Sequence, residues 1–180
     1  CMGVSSNAQV GIAPAPQARR RIFMTNGNLA ANIGVAGFDA ACNQEAQSAG
    51  LLGTYKAIVA TTTATLASRF TMHGLPVVRP DGAIVATTDL ALGGQALLMS
   101  TPNVDLSGKY YSDISSPDRV WTGAQLFANV PQITDTCQDW TTVASGQRGM
   151  TGRQNTAQNI WLGFTFTNCN AAHRVYCLEE

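Results

Sequence analysis

The run Phe38-Asp39-Ala40-Ala41-Cys42-Asn43-Gln44-Glu45-Ala46-Gln47-Ser48-Ala49-Gly50 leads, after a short link, into Thr54-Tyr55-Lys56-Ala57-Ile58-Val59-Ala60. Phe38, Ala41, Cys42, Glu45, Ala46 and Ala49 recur at the three- and four-residue steps of one helix face, which predicts a helix over 38–49. Gly50 follows at the place where a left-handed residue ends a helix. Asp39 is expected in the first turn, where a negative charge favours the helix dipole. Cys42 falls on the apolar face and so is expected to point into the core. The apolar run over 54–60 then reads as a buried strand.

Upstream, Ile22-Phe23-Met24-Thr25 reads as a first strand and Asn26-Gly27-Asn28 as a turn. Arg19-Arg20-Arg21 reads as solvated charge flanking that strand, with a polyanion site as the alternative. Residues 1–18 read as an extended arm, polar at Ser5-Ser6-Asn7 and stiffened by Pro14 and Pro16, and residues 19–180 as one domain. Downstream, a short helix is expected over 63–70. A hairpin follows, Val77-Val78 and Ala83-Ile84-Val85 about a turn at Pro80-Asp81-Gly82. Further short strands are expected near 97–99, 119–121, 137–142 and 174–178. One main helix, one short helix and many short, mostly antiparallel strands make an α+β domain.

Charged residues are 12% of the 180, about half the usual share, and the 11 basic and 11 acidic side chains cancel. That balance excludes nucleic-acid binding through a basic field, and the apolar content excludes a disordered chain. No apolar run is long enough for a membrane span. The only lysines are Lys56 and Lys109, so Thr, Ser, Asn, Gln and Gly must supply the polar surface. Such a surface points to a secreted or bacterial cell-surface protein. Lipoprotein processing leaves a cysteine first in the chain, so a lipid anchor at Cys1 is one expectation and a fragment start the other. Cys42, Cys137, Cys169 and Cys177 form no CxxC pair. Composition favours two disulfides over a zinc site with His173, and spacing leaves three pairings open.

The cysteine neighbourhoods resemble those of endostatin. Phe38-Asp39-Ala40-Ala41-Cys42, Ala46, Ala49-Gly50-Leu51 and Gly53-Thr54-Tyr55-Lys56-Ala57 resemble its opening. Val120-Trp121-Thr122-Gly123 resembles its Trp-x-Gly segment. Cys137-Gln138-Asp139-Trp140, Gly146, Cys169 and His173-Arg174-Val175-Tyr176-Cys177-Leu178-Glu179 resemble its C-terminal half. Similar domains occur in spirochaetal endostatin-like surface lipoproteins. The resemblance implies a C-type lectin-like fold with nested disulfides, Cys42 with Cys177 and Cys137 with Cys169. Chain-entropy arithmetic assigns these roughly 5 and 4 kcal/mol. Trp121, Trp140 and Trp161 are then core or near-core aromatics, with sugar stacking by Trp161 as the rival reading.

The departures from that family bear on function. Calcium-binding lectins use carboxylates where this chain reads Thr122-Gly123-Ala124-Gln125-Leu126-Phe127-Ala128-Asn129, and calcium needs several oxygen ligands. Endostatin's zinc-binding N-terminal histidines are missing from the arm, and the zero net charge weakens its heparin reading. No cofactor or metal is expected. Neither His73 nor His173 sits in a nucleophile pattern, and Gly146, Gly149 and Gly152 read as a glycine-rich surface loop rather than a phosphate loop. The expectation is a non-enzymatic adhesion or ligand-binding domain, calcium-independent, recognising a glycan or matrix protein through its loops. The loops are those over 123–135 and 145–159, and the residues expected to bind are Arg148, Arg153, Asn155, Trp161, Gln125 and Asn129. The alternative is the receptor-binding tip of a homotrimeric surface or phage-type fibre, because Val10-Gly11-Ile12 resembles fibre repeats.

Overall fold

A computed structural model describes residues 18–93, 97–112, 119–128 and 130–180. Cys1, the arm apart from Ala18, and Asn129 lie outside the described residues. The fold is mixed α and β, with one main helix, many antiparallel strands and two disulfides. Strand β1 (Arg20–Met24) lies at the centre of a five-stranded sheet. It pairs antiparallel with β10 (Tyr176–Glu179), in a register that sets Phe23 opposite Cys177, and parallel with β4 (Val77–Val78). Outside these lie β3 (Tyr55–Ala57), against β10, and β5 (Ile84–Ala86), against β4. The first and last strands of the domain therefore lie side by side.

Helix α1 spans Gly34–Ser48 and buries Phe38, Cys42 and Ala46. Its end satisfies two otherwise orphaned carbonyls: Gly50 N–H donates to Gln47 O at 3.0 Å and Leu51 N–H to Ala46 O at 2.9 Å, with Gly50 at φ +72°. That is the cap its glycine predicts. The helix starts four residues earlier than its apolar period suggests, so no acid lies in the first turn. Asp39 instead accepts the Ala57 N–H at 2.8 Å and the Arg69 guanidinium at 2.7 Å, tying the helix to β3 and the segment beyond it.

Cys42 is bonded to Cys177 and Cys137 to Cys169. Around both bonds lie Phe23, Phe38, Tyr55, Trp121 and Trp140, all fully buried. The two indoles meet at 5.6 Å, and their N–H groups donate to Leu29 O at 3.2 Å and Ala60 O at 2.8 Å. A second apolar cluster under the large sheet contains Ile22, Leu66, Phe127, Trp161 and Tyr176. The short helix expected over 63–70 is a single 3-10 turn, Ala67–Arg69.

Three local expectations fail. Residues 97–99 form no strand, although Met99 N–H donates to Val85 O at 2.8 Å alongside β5. Cys137–Trp140 is not extended. Its four residues all have φ between 50° and 64°, making one left-handed turn in which Trp140 N–H reaches Thr136 O at 2.7 Å. Tertiary partners hold it there: the disulfide, the Trp140 indole bond, and the Asp139 carboxylate on Thr62 N–H at 2.8 Å. Third, the expected loop over 145–159 contains strand β7 (Arg148–Arg153). It is the middle of a three-stranded sheet between β6 (Arg119–Trp121) and β8 (Thr165–Asn168). Glycines are poor strand formers, but here the absence of Cβ is required. A Cβ on Gly149 would lie 2.9 Å from Cys137 Sγ and one on Gly152 1.8 Å from Trp161 O.

Candidate functional site

Pockets are the usual place for a ligand site, but in two of them the carboxylates are engaged in internal bonds. A cleft of about 540 Å³ lies between Asn26, Gly27, Glu45, Ala49, Leu106 and Ser107. Burial pushes the Glu45 carboxyl up, against the amides of Asn26 and Gly27. Both its oxygens accept the Asn26 N–H, at 2.9 and 3.0 Å, so the carboxylate serves as a brace for the turn after β1. A smaller cavity of about 210 Å³ is lined by Gln125, Gln132, Asp135 and Met150. Asp135 there closes its own 3-10 turn in a capping box with Gln132. Asp139 is held by Thr62 and Thr136. Among the described residues no three His, Cys, Asp or Glu side chains are grouped to hold a metal ion.

The β6–β7–β8 sheet carries unsatisfied chemistry instead. Arg148 and Arg153 stand at the two ends of β7, roughly 17 Å apart at the rise of an antiparallel strand. Arg119, opposite Arg153 in the register, is the third cation. The guanidinium of Arg148 lies 4.3 Å from the Phe166 ring centroid. Arg153 and Arg119 flank Phe164 at 5.3 and 5.9 Å. Arg119 also donates to Thr167 Oγ1 at 2.9 Å, and Arg153 Nε donates to Asn155 Oδ1 at 2.9 Å. Among the described residues none of the three arginines has a carboxylate partner, whereas Arg20, Arg21, Arg69 and Arg79 each pair with one. Phe164 is 44% exposed. Guanidinium on an aromatic face is held in place while its in-plane donors stay open to an incoming carboxylate or sulfate.

The expected binding residues divide accordingly. Arg148, Arg153 and Asn155 lie on or just after β7, which joins Arg153 to Asn155 but sets Arg148 at the other end and on the opposite face. Gln125 is exposed, and its Cα would lie 2.3 Å from a Cβ on Gly163, which brings the 123–128 segment against the residue before Phe164. Asn129 lies outside the described residues. Trp161 is corrected: it is 3% exposed and packs on Tyr176 at 5.2 Å, so its ring offers no face to a ligand. Arg119, Phe164 and Phe166 are additions. The alternation Phe164-Thr165-Phe166-Thr167 is a period-two signal that marks β8 and could have pointed to them.

The arginine triplet at 19–21 is a solvated flank at Arg19 alone, which is exposed. Arg20 is buried against Asp89 at 3.0 Å, and Arg21 lies 3.5 Å from Glu179. His73 uses its backbone N–H on Asp89 at 2.7 Å, and His173 is buried edge-on to Trp121 at 4.6 Å. No curated protein matches the chain. The model of a family described as a protein of unknown function, DUF1554, matches residues 23–157, from β1 through Arg119, Arg148 and Arg153, and the chain belongs to that family.

Proposed function

We propose that this domain is a non-enzymatic, calcium-independent binding module of a bacterial cell surface, with an endostatin-like, C-type lectin-like fold. It engages an acidic macromolecule, a glycan or a matrix protein, through the ribbon of Arg119, Arg148 and Arg153. The fold reading is supported by the adjacency of β1 and β10 and by the nested bonds, with the helix tied to the last strand. The observation that carries the function is the set of three arginines stacked on Phe164 and Phe166 with no described carboxylate partner. In a chain this poor in charge, cations with no carboxylate partner among the described residues, on a disulfide-held sheet, are positioned donors.

The test is an array of glycans and matrix proteins probed with the whole chain in EDTA. Arg148→Ala with Arg153→Ala is expected to weaken binding more than tenfold, about 2 kcal/mol for a true hot spot, while the melting temperature stays nearly constant. Binding that disappears in EDTA and returns with calcium would refute the metal-independent reading. A double variant that binds every target as the parent does would move the site elsewhere.

A further inference from the structure

Among the described residues the β6–β7–β8 sheet has one edge closed and one open. The outer side of β6 is covered, because Val120 bridges Arg174 and the Trp121 N–H donates to Arg174 O at 2.9 Å. On the other side, β8 has β7 as its one strand partner among the described residues. Proteins ordinarily blunt an open edge with a lysine, a proline or a bulge, since unpaired N–H and C=O groups recruit other strands. Thr165-Phe166-Thr167-Asn168 has none of these: no charge, no proline, and a register with β7 that runs without a shift. It is rich in the aromatic and β-branched residues that favour pairing. The charge sits behind it instead, on Arg148 and Arg153 of β7 and on Arg119, whose side chain reaches Thr167.

We infer that β8 is a docking edge for an extended acidic polypeptide, which adds to the sheet as a fourth strand beside Thr165–Asn168 and sets carboxylates against the arginines. This deepens the proposed binding role and rests on it. Two features select this occupant. The β8 edge of a second copy carries no carboxylate, so pairing with it would leave the arginines without an acidic partner on the added strand. A glycan could meet the arginines but has no backbone ladder to offer the open edge, whereas an extended peptide offers both. Side chains of an added strand alternate between its two faces, and so do the arginines, with Arg148 on the face opposite Arg153 and Arg119, so acidic residues on both faces of the strand would meet them.

The experiment uses the whole chain and a fluorescent decapeptide of Glu and Thr whose Glu-Glu pairs place carboxylates on both faces of an extended strand, followed by anisotropy. Beside it runs the same peptide methylated at every backbone nitrogen, which keeps the charge and loses the donors. The parent peptide is expected to bind at least tenfold more tightly than the methylated one. Arg148→Glu with Arg153→Glu should weaken it by a further tenfold or more, and hydrogen exchange at residues 165–168 should slow on binding. Equal binding of the two peptides, or unchanged exchange at 165–168, overturns strand addition while leaving an arginine ribbon that reads charge alone. A heparin-type sulfated octasaccharide bound in preference to the decapeptide also overturns it and assigns the ribbon to a glycan. If neither peptide nor octasaccharide binds, both this inference and the ribbon reading fail.

Discussion

Arg20 is 2% exposed, and its Nε and Nη1 donors are met while Nη2 has only the Glu180 carboxylate at 3.8 Å. Its Nε donates to Glu179 O at 2.6 Å and its Nη1 to Thr71 O and to Asp89, each at 3.0 Å, with Phe70 beneath at 5.8 Å. Burial alone would raise the Asp89 carboxyl. The His73 amide, Arg20 and the Gly74 amide outweigh it and hold the group below the ordinary carboxylate range. Asp105 behaves alike: burial raises it, while Tyr111, Ser107 and the Lys109 amide lower it further. A carboxyl whose folded pKa is depressed contributes stability above its unfolded value near 4, and that contribution is lost as pH falls through the folded value. Thermal melts between pH 7 and pH 2 should therefore be flat at the upper end and fall steadily below about pH 4. A melting temperature constant down to pH 2.5 would show that Asp89 and Asp105 do not hold the fold as described. Residue identity also sets strain in the left-handed turn. Gln138 is exposed with φ +56°, a conformation that costs a side-chain-bearing residue about 1 kcal/mol relative to glycine. Gln138→Gly should raise stability to urea by about that amount, and a loss instead would mean that the side chain has a role not visible in its contacts.

Among the elements, β7 is the one whose existence depends most on its neighbours. Its sequence, Arg-Gly-Met-Thr-Gly-Arg, reads as a surface loop by composition. It is a strand because β6 and β8 supply partners on both sides and because two glycines let Trp121 and the Trp161 carbonyl approach. Gly152→Ala puts a methyl into backbone that has no room to yield, so it should cost about 3 kcal/mol, at the upper end for overpacking. Gly146→Ala, where nothing lies within 4 Å, is the control and should change little. Equal melting temperatures for the two variants would mean that the close approach of Gly152 to Trp161 is relieved by a shift. The helix is the opposite case. Its apolar period and Gly50 announced it, and the structure adds one turn at its start, where Gly34 at φ +70° begins the coil.

Over the whole molecule, the two disulfides close loops of very different size, 135 and 32 residues apart in sequence. The longer one joins α1 to β10, so it constrains nearly the entire domain in the unfolded chain. Loss of loop entropy gives about 5 kcal/mol for Cys42–Cys177 and about 4 kcal/mol for Cys137–Cys169. Paired alanine substitutions should show that order in denaturant titrations, with the first pair the more damaging. The reverse order would mean that native packing around the left-handed turn outweighs chain entropy. Peptide mapping without reductant should recover the same two pairs.

The main helix and its cap, the 77–86 hairpin, the first and last strands and the buried Trp121 and Trp140 were legible in the sequence. Each rests on a local period, a turn residue or an apolar side chain that needs no distant partner to be read. The cysteines could be assigned to structure from composition, and their pairing followed from the endostatin-like order of motifs. Only the tertiary structure decided that Arg20 lies in the interior, that Cys137–Trp140 winds to the left, that Trp161 faces inward, and that Arg119 joins Arg153 at Phe164 while Arg148 lies on Phe166. In each of these, the residue's state is set by a group distant in the chain: Asp89 for Arg20, Ala60 and Thr62 for the turn, Tyr176 for Trp161, and the strand register for the arginines. An arginine carries the same sequence signal whether it is buried on a carboxylate or laid on an aromatic ring. Folding alone determines which partner it meets.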